Sequence, residues 1–179
     1  MYKLEFTTLQ QEILRYLFIK SGMSFNARGL ARSLKVSPTG ISKSLKKLES
    51  EGLIKVTKDK ESKRLSIELD KNNPKVFLLK RVDNLKLIYD SGIVEHLSEN
   101  FPEATIVLFG SYSFGEDTIN SDIDIAIIGS KEKEINLGKF DKFLERLVSL
   151  YFCESLSEIN ENLRESIING IVLKGGIHL

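Results

Sequence analysis

Two aspartates one residue apart inside an apolar run constrain this chain more than any other feature. Asp122 and Asp124 interrupt SDIDIAII (121–128), a stretch otherwise made of Ile and Ala after its first serine. Successive side chains of a strand point to opposite faces, so the spacing predicts Asp122 and Asp124 on one face and Ile123, Ile125 and Ile127 on the other. Two carboxylates side by side at the edge of a core repel each other, and burying either alone is costly. A divalent cation removes both costs. Mg²⁺ is held by one or two carboxylates completed by substrate phosphates and water. The pair therefore predicts half of a metal–phosphate site for Mg²⁺ or Mn²⁺, with Asp122 and Asp124 as metal ligands and catalytic groups. The plainer alternative makes Asp122 a strand-start cap and Asp124 a solvated edge residue.

Gly110-Ser111 predicts the other half. ATIVLF (104–109) is short, rich in β-branched residues and ends at Gly110, which reads as a buried strand. Glycine lets a phosphate approach the backbone closely. The serine hydroxyl and the N–H groups of a following helical turn can hold that phosphate. Gly110 and Ser111 are thus the candidate nucleotide-binding residues.

An apolar strand, Gly-Ser, ten intervening residues and Asp-x-Asp on a second strand together resemble the nucleotidyltransferase fold of DNA polymerase beta, and most of all its minimal nucleotidyltransferase branch. The resemblance covers residues 95–175. It implies that the two aspartates bind Mg²⁺ and a nucleoside triphosphate, and that a third carboxylate on a later strand completes the site and helps activate an attacking hydroxyl. Two departures stand against full activity. The next strand, LVSLYF (147–152), has Ser149 where the family has an acid, and Glu154 lies five residues further on. The loop GSYSFGEDTINS (110–121) holds no Lys or Arg; Tyr112 and Phe114 stand where relatives carry Arg, and Glu116 and Asp117 add negative charge.

Charge divides the chain. Residues 1–74 hold 15 Lys/Arg and 8 Asp/Glu, a balance of +7, and residues 75–179 hold 11 and 17, a balance of −6. One part is drawn to polyanions and the other can hold cations. The polar, Pro-ended break at Lys71-Asn72-Asn73-Pro74 predicts a basic domain over 1–74, a helical connector over 75–100 and a nucleotidyltransferase-like domain over 101–179. In the connector, Leu78, Val82, Leu85 and Tyr89 recur at i, i+4, i+7 and i+11 and read as a packing face, with a homodimer contact as the other use. No apolar run approaches the ~18 residues of a membrane span. The polar start, MYKLEFTTLQQEI, is unlike a signal peptide, so the expected location is the cytoplasm. The lone Cys153 and the distant His96 and His178 offer no metal-ligand spacing.

In the basic part, residues 8–20 read as a helix on Leu9, Ile13 and Leu17. A second follows Asn26 as N-cap. The third is SPTGISKSLKKLESEGLI, with Ser37 as cap, Pro38 at the first position and Gly52 as terminator. Two alternating segments, at Ile54–Val56 and Leu65–Leu69, flank the charged turn KDKESKR. Three helices and a hairpin resemble a winged helix-turn-helix over residues 5–70. ARSLKVSPTGISKSLKKLESEGLIKV is similar to the DNA-reading segment of many bacterial and archaeal regulators. Duplex DNA is the implied partner. Ser37, Thr39, Ser42, Lys43, Lys46 and Lys47 on the helix, and Lys58, Lys60, Lys63 and Arg64 on the wing, are the candidate contacts.

The expected architecture is α+β: an N-terminal winged helix-turn-helix followed by a small nucleotidyltransferase-fold domain with a mixed sheet. Three functions fit it. One is a Mg²⁺-dependent nucleotidyltransferase brought to its target by the basic domain. Another is a transcription regulator whose second domain is catalytically degenerate. The third is an antitoxin-like component of a two-protein module with a small helical partner protein.

Overall fold

The computed structural model describes residues 6–58 and 65–177. The chain divides into two compact units, Met1–Lys80 and Arg81–Leu179.

The first unit is built from α1 (Thr8–Ile19), α2 (Ala27–Ser33), α3 (Pro38–Ser50), β1 (Ile54–Lys58) and β2 (Leu65–Leu69). Each helix starts where a side chain can take an orphan amide. Thr7 and Gln10 form a reciprocal capping box on α1. Asn26 accepts from Gly29 N at 2.7 Å on α2, and Ser37 accepts from Gly40 N at 3.1 Å on α3. Gly52 follows α3 with φ +68°, the left-handed turn that lets the chain reverse into β1. β1 and β2 pair antiparallel from Ile54↔Leu69 to Lys58↔Leu65. Phe25 bridges Ile67 with two backbone hydrogen bonds and gives the hairpin a third edge. Ile13, Leu17, Leu30, Ile41, Leu48, Leu53 and Ile67 fill the core.

The second unit carries a four-stranded mixed sheet in the order β5-β4-β3-β6, with β3 (Thr105–Phe109), β4 (Ile123–Ile128), β5 (Val148–Cys153) and β6 (Ile171–Lys174). β3 pairs antiparallel with β4 and β6, and β4 pairs parallel with β5. Ile106, Leu108, Ile123, Ile125 and Ile127 face one way. They pack under Ile93 and Leu97 of α5 (Ile93–Asn100) and Phe140 and Leu144 of α7 (Gly138–Leu144). Val107, Phe109 and Ala126 face the other way and meet Ile167 of α8 (Glu161–Ile168). Beyond α8, Gly170 approaches the sheet so closely that a Cβ there would lie 2.5 Å from the Leu108 carbonyl oxygen. The short α6 (Gly110–Phe114) leaves the end of β3 at once.

The helix α4 (Pro74–Ser91) departs from expectation. The stripe read as a packing face is the exposed one: Leu78 is 63% exposed, Val82 69% and Tyr89 46%. The buried positions are Val76, Lys80, Asn84 and Ile88, also spaced by four. Two of these are polar, so apolar periodicity selects the wrong side of the helix.

Candidate functional site

β3 and β4 bring the two halves of the expected site together. Phe109, the last residue of β3, is the cross-strand partner of Asp124. Gly110 follows with φ +69°, and a Cβ there would stand 2.4 Å from Asp124 Oδ2. The carboxylate thus lies directly on the glycine that opens α6. Gly110 is required twice, for its left-handed backbone and for this approach. Gly110→Ala should destabilise the fold by about 1–2 kcal/mol from the backbone alone, and more because Asp124 must move. A lowered denaturant midpoint at unchanged slope would check it.

Asp124 is half-buried on β4, and Asp122, one residue before the strand, is exposed. Asp124 lies on the opposite face of the sheet from Ile123, Ile125 and Ile127, as the alternation requires. Burial pushes the Asp124 carboxyl up from its ordinary value of 3.8, and the charge of Asp122 adds to the rise. The Tyr151 hydroxyl offsets part of that rise, because a hydrogen bond from it favours the charged carboxylate. The negative charge of Asp124 in turn holds the Tyr151 proton more tightly, raising the phenol above its usual range.

In the parallel pairing of β4 with β5, Ser149 is the direct partner of Asp124. The serine therefore lies beside Asp124 on the same face of the sheet. Glu154 does not replace it. It lies past the far end of β5, roughly 16 Å along the strand from Ser149, and faces Lys131 at 3.7 Å with both side chains exposed. Among the described residues no group of three or more His, Cys, Asp or Glu side chains converges.

The loop is less acidic than its sequence. Asp117 is buried; its Oδ1 accepts from Asn84 Nδ2 at 2.8 Å and its Oδ2 lies 3.6 Å from Arg146 Nη2. Asn84 also donates to the Tyr112 carbonyl at 2.9 Å. One of the two loop acids is thus neutralised and fixes the loop's exit, which leaves Glu116 exposed. Nor does the loop lack a neighbouring cation. The Arg81 guanidinium from α4 sits 5.6 Å from the centre of the Phe114 ring. A pocket of about 360 Å³ opens beside Asp122, between Asn120 and Ser121 on one side and Asp141, Glu145 and Arg146 on the other. Asn84, Arg81 and Arg146 escaped the sequence reading because each comes from an element remote in sequence.

On α3, Thr39, Lys43 and Lys46 are exposed, as is Lys58 at the end of β1. Ser37 is engaged as the cap, and the Ser42 hydroxyl donates to the Pro38 carbonyl at 3.0 Å. Lys47 is ion-paired with Glu51 one turn on. Lys60, Lys63 and Arg64 lie outside the described residues.

The nucleotidyltransferase domain family matches residues 91–173, and the MarR family matches residues 6–66. The chain is a MarR-type winged helix followed by a nucleotidyltransferase domain. No curated protein matches it in sequence. Among solved structures, it is similar to the adhesin competence repressor of Streptococcus pyogenes at 19% identity, covering 54% of this chain and 69% of that one, with a TM-score of 0.41. MepR of Staphylococcus aureus in complex with DNA is 19% identical over 55% of this chain and 80% of that one, TM-score 0.40. The transcriptional regulator BldR of Sulfolobus solfataricus is 20% identical over 56% and 73%, TM-score 0.39. The winged helix, the nucleotidyltransferase domain and the mixed sheet expected from sequence are all present in the MarR–nucleotidyltransferase chain. Among the described residues, no helix is long and apolar enough to cross a membrane.

Proposed function

We propose that the MarR-type domain holds duplex DNA while Asp122, Asp124, Gly110 and Ser111 of the nucleotidyltransferase domain hold a nucleoside triphosphate with Mg²⁺ or Mn²⁺. Transfer from that nucleotide is slow, so the protein acts chiefly as a regulator. The observation that carries this reading is Asp124 lying on Gly110, with Ser149 as its strand partner. The first supports a carboxylate working next to a phosphate-binding turn. The second leaves the pair without a third acid.

The residues fit a cation. Burial and the charge of Asp122 raise the cost of ionising Asp124, and the hydroxyl of Tyr151 relieves only part of it. When bound, a divalent ion supplies charge neutralisation and a Lewis acid for the phosphate oxygens. The chain's own residues orient. Asp122 and Asp124 fix the ion's position, Ser111 and the α6 amides take phosphate oxygens, and Arg81 adds positive charge beside Phe114.

Melting curves test the site. Asp124's carboxyl binds its proton more tightly folded than unfolded. Its charge therefore lowers stability as pH rises from about 3.8 through its raised value, and stability stays lowered at neutral pH. Asp122→Asn with Asp124→Asn should raise the metal-free melting midpoint at pH 7. It should also abolish the rise that Mn²⁺ gives the wild type by binding the native state. An intact Mn²⁺ shift in the double variant places the ion elsewhere.

The exposed stripe on α4 supports assembly. Leu78, Val82, Leu85 and Tyr89 repeat at four, three and four residues, the seam spacing of paired helices. A second copy of the chain covers it in this reading. A small helical partner, as in an antitoxin-like module, is the competing occupant, and a mass measurement in solution separates the two.

A further inference from the structure

We propose that Tyr151 is a modification site: the nucleotidyltransferase domain transfers a nucleoside monophosphate to its own Tyr151 hydroxyl. This rests on Asp122 and Asp124 being the metal–nucleotide site.

The strand register puts the hydroxyl there. Ser149 and Tyr151 pair with Asp124 and Ala126 across β4 and β5, so both project from the face of the sheet that carries Asp124. The Tyr151 ring stands edge-on to Phe109, with centroids 5.2 Å apart and planes at 73°. Phe109 is itself the cross-strand partner of Asp124 and the residue before Gly110. The ring thereby stands beside the residue that joins the phosphate turn to Asp124, on the face of the sheet that carries the carboxylate. A tyrosine held only for packing would be covered, yet Tyr151 is 41% exposed. A nucleotide on Gly110 and Ser111 would meet this hydroxyl before any from outside. Ser149 also lies beside Asp124, but its side chain ends close to the sheet.

Rate considerations favour an acceptor within the chain. The absent third acid costs a site about 10²–10⁴ in rate. A tethered, oriented group gains an effective molarity that reaches about 10⁵–10⁸ M. Self-transfer is then the reaction such a site still performs, and a single event per chain needs no turnover.

The step balances. A lone pair on Tyr151 Oη forms a bond to the α-phosphorus of a nucleoside triphosphate. The bond from that phosphorus to the oxygen bridging to the β-phosphate breaks, and pyrophosphate leaves with the electron pair. The phenolic proton passes to solvent, to which Tyr151 is open. Nothing is oxidised or reduced. The product leaves a phosphodiester beside Asp124 and closes the site to a second nucleotide.

The full chain, wild type and as Tyr151→Phe, Ser149→Ala and Asp122→Asn with Asp124→Asn, is incubated with Mn²⁺ and each of the four α-labelled ribonucleoside triphosphates. Label, intact mass and the modified peptide are read, with Mn²⁺ affinity measured on the same proteins. The expected result is one nucleoside monophosphate per wild-type chain on the peptide holding Tyr151. It should persist in Ser149→Ala and be absent from Tyr151→Phe and the double aspartate variant. Mn²⁺ affinity of Tyr151→Phe should stay close to wild type. Label that survives Tyr151→Phe overturns the proposal while leaving the site active. An unlabelled wild type that still binds Mn²⁺ through the aspartates overturns it and leaves the site reading standing. An unlabelled wild type whose Tyr151→Phe variant loses about tenfold or more in Mn²⁺ affinity makes Tyr151 a residue that orients Asp124, and this too overturns the proposal. Loss of Mn²⁺ binding in the wild type removes both the site and its acceptor.

Discussion

Replacing Lys43, Lys46 and Lys47 by alanine flattens the salt dependence of duplex binding by about two counterions. Each lysine that neutralises a phosphate adds close to one to the slope of log affinity against log salt. Three are removed, but Lys47 is already paired with Glu51 and contributes less. Over a fourfold rise in salt, a slope change of two is a difference of roughly 16-fold between wild type and variant. The wild type itself should lose about 10³ or more over that range if six or more phosphates are engaged. α3 carries no Arg, Asn or Gln between Pro38 and Gly52, the residues that read bases with paired hydrogen bonds. Affinity should therefore be micromolar or weaker and vary little between unrelated duplexes, with the loss in the variant uniform across them. Fluorescence anisotropy at several salt concentrations measures all of this. An affinity indifferent to salt would remove DNA as the partner of the basic domain.

Ser149→Asp is expected to raise nucleotidyl transfer by about 10²–10⁴, the usual worth of a positioned general base. The prediction depends on register. A one-residue slip would turn position 149 to the other face, but Asp124 and Ser149 are direct partners on parallel strands. A carboxylate there would join Asp122 and Asp124 around one ion without a change of backbone. Three acids in place of two should also tighten Mn²⁺ binding, a readout independent of transfer. Glu154→Gln serves as the control and should leave the rate unchanged, since that side chain lies at the other end of the strand and faces Lys131. Fast wild-type transfer abolished by Glu154→Gln would reverse these assignments.

The parts of this architecture that are local in sequence were legible. Asn26 and Ser37 cap because a short polar side chain next to an apolar period has one good use. The alternation of Asp and Ile in β4 fixes which faces they take, and the strand after α7 places Ser149 beside the pair. What failed was non-local. α4 buries Lys80 and Asn84, and no hydropathy pattern marks a buried lysine or asparagine. Asp117 reads as loop charge until Asn84 and Arg146 arrive from elsewhere in the chain. Arg81 next to Phe114 is likewise invisible, because 33 residues separate them along the chain. The loop's electrostatics, judged from its own twelve residues, therefore came out too negative.

If a second copy covers the α4 seam, as proposed above, gene dosage becomes an input. A chain that hides Leu78, Val82 and Tyr89 only by meeting its twin exists in two forms whose ratio follows the amount made. Well below the pairing constant, doubling synthesis quadruples the paired form. Two winged helices on one paired body engage a duplex with an avidity that a lone copy lacks. Occupancy on DNA would then climb with the square of expression at first, and a repressor of its own promoter built this way would set its level sharply.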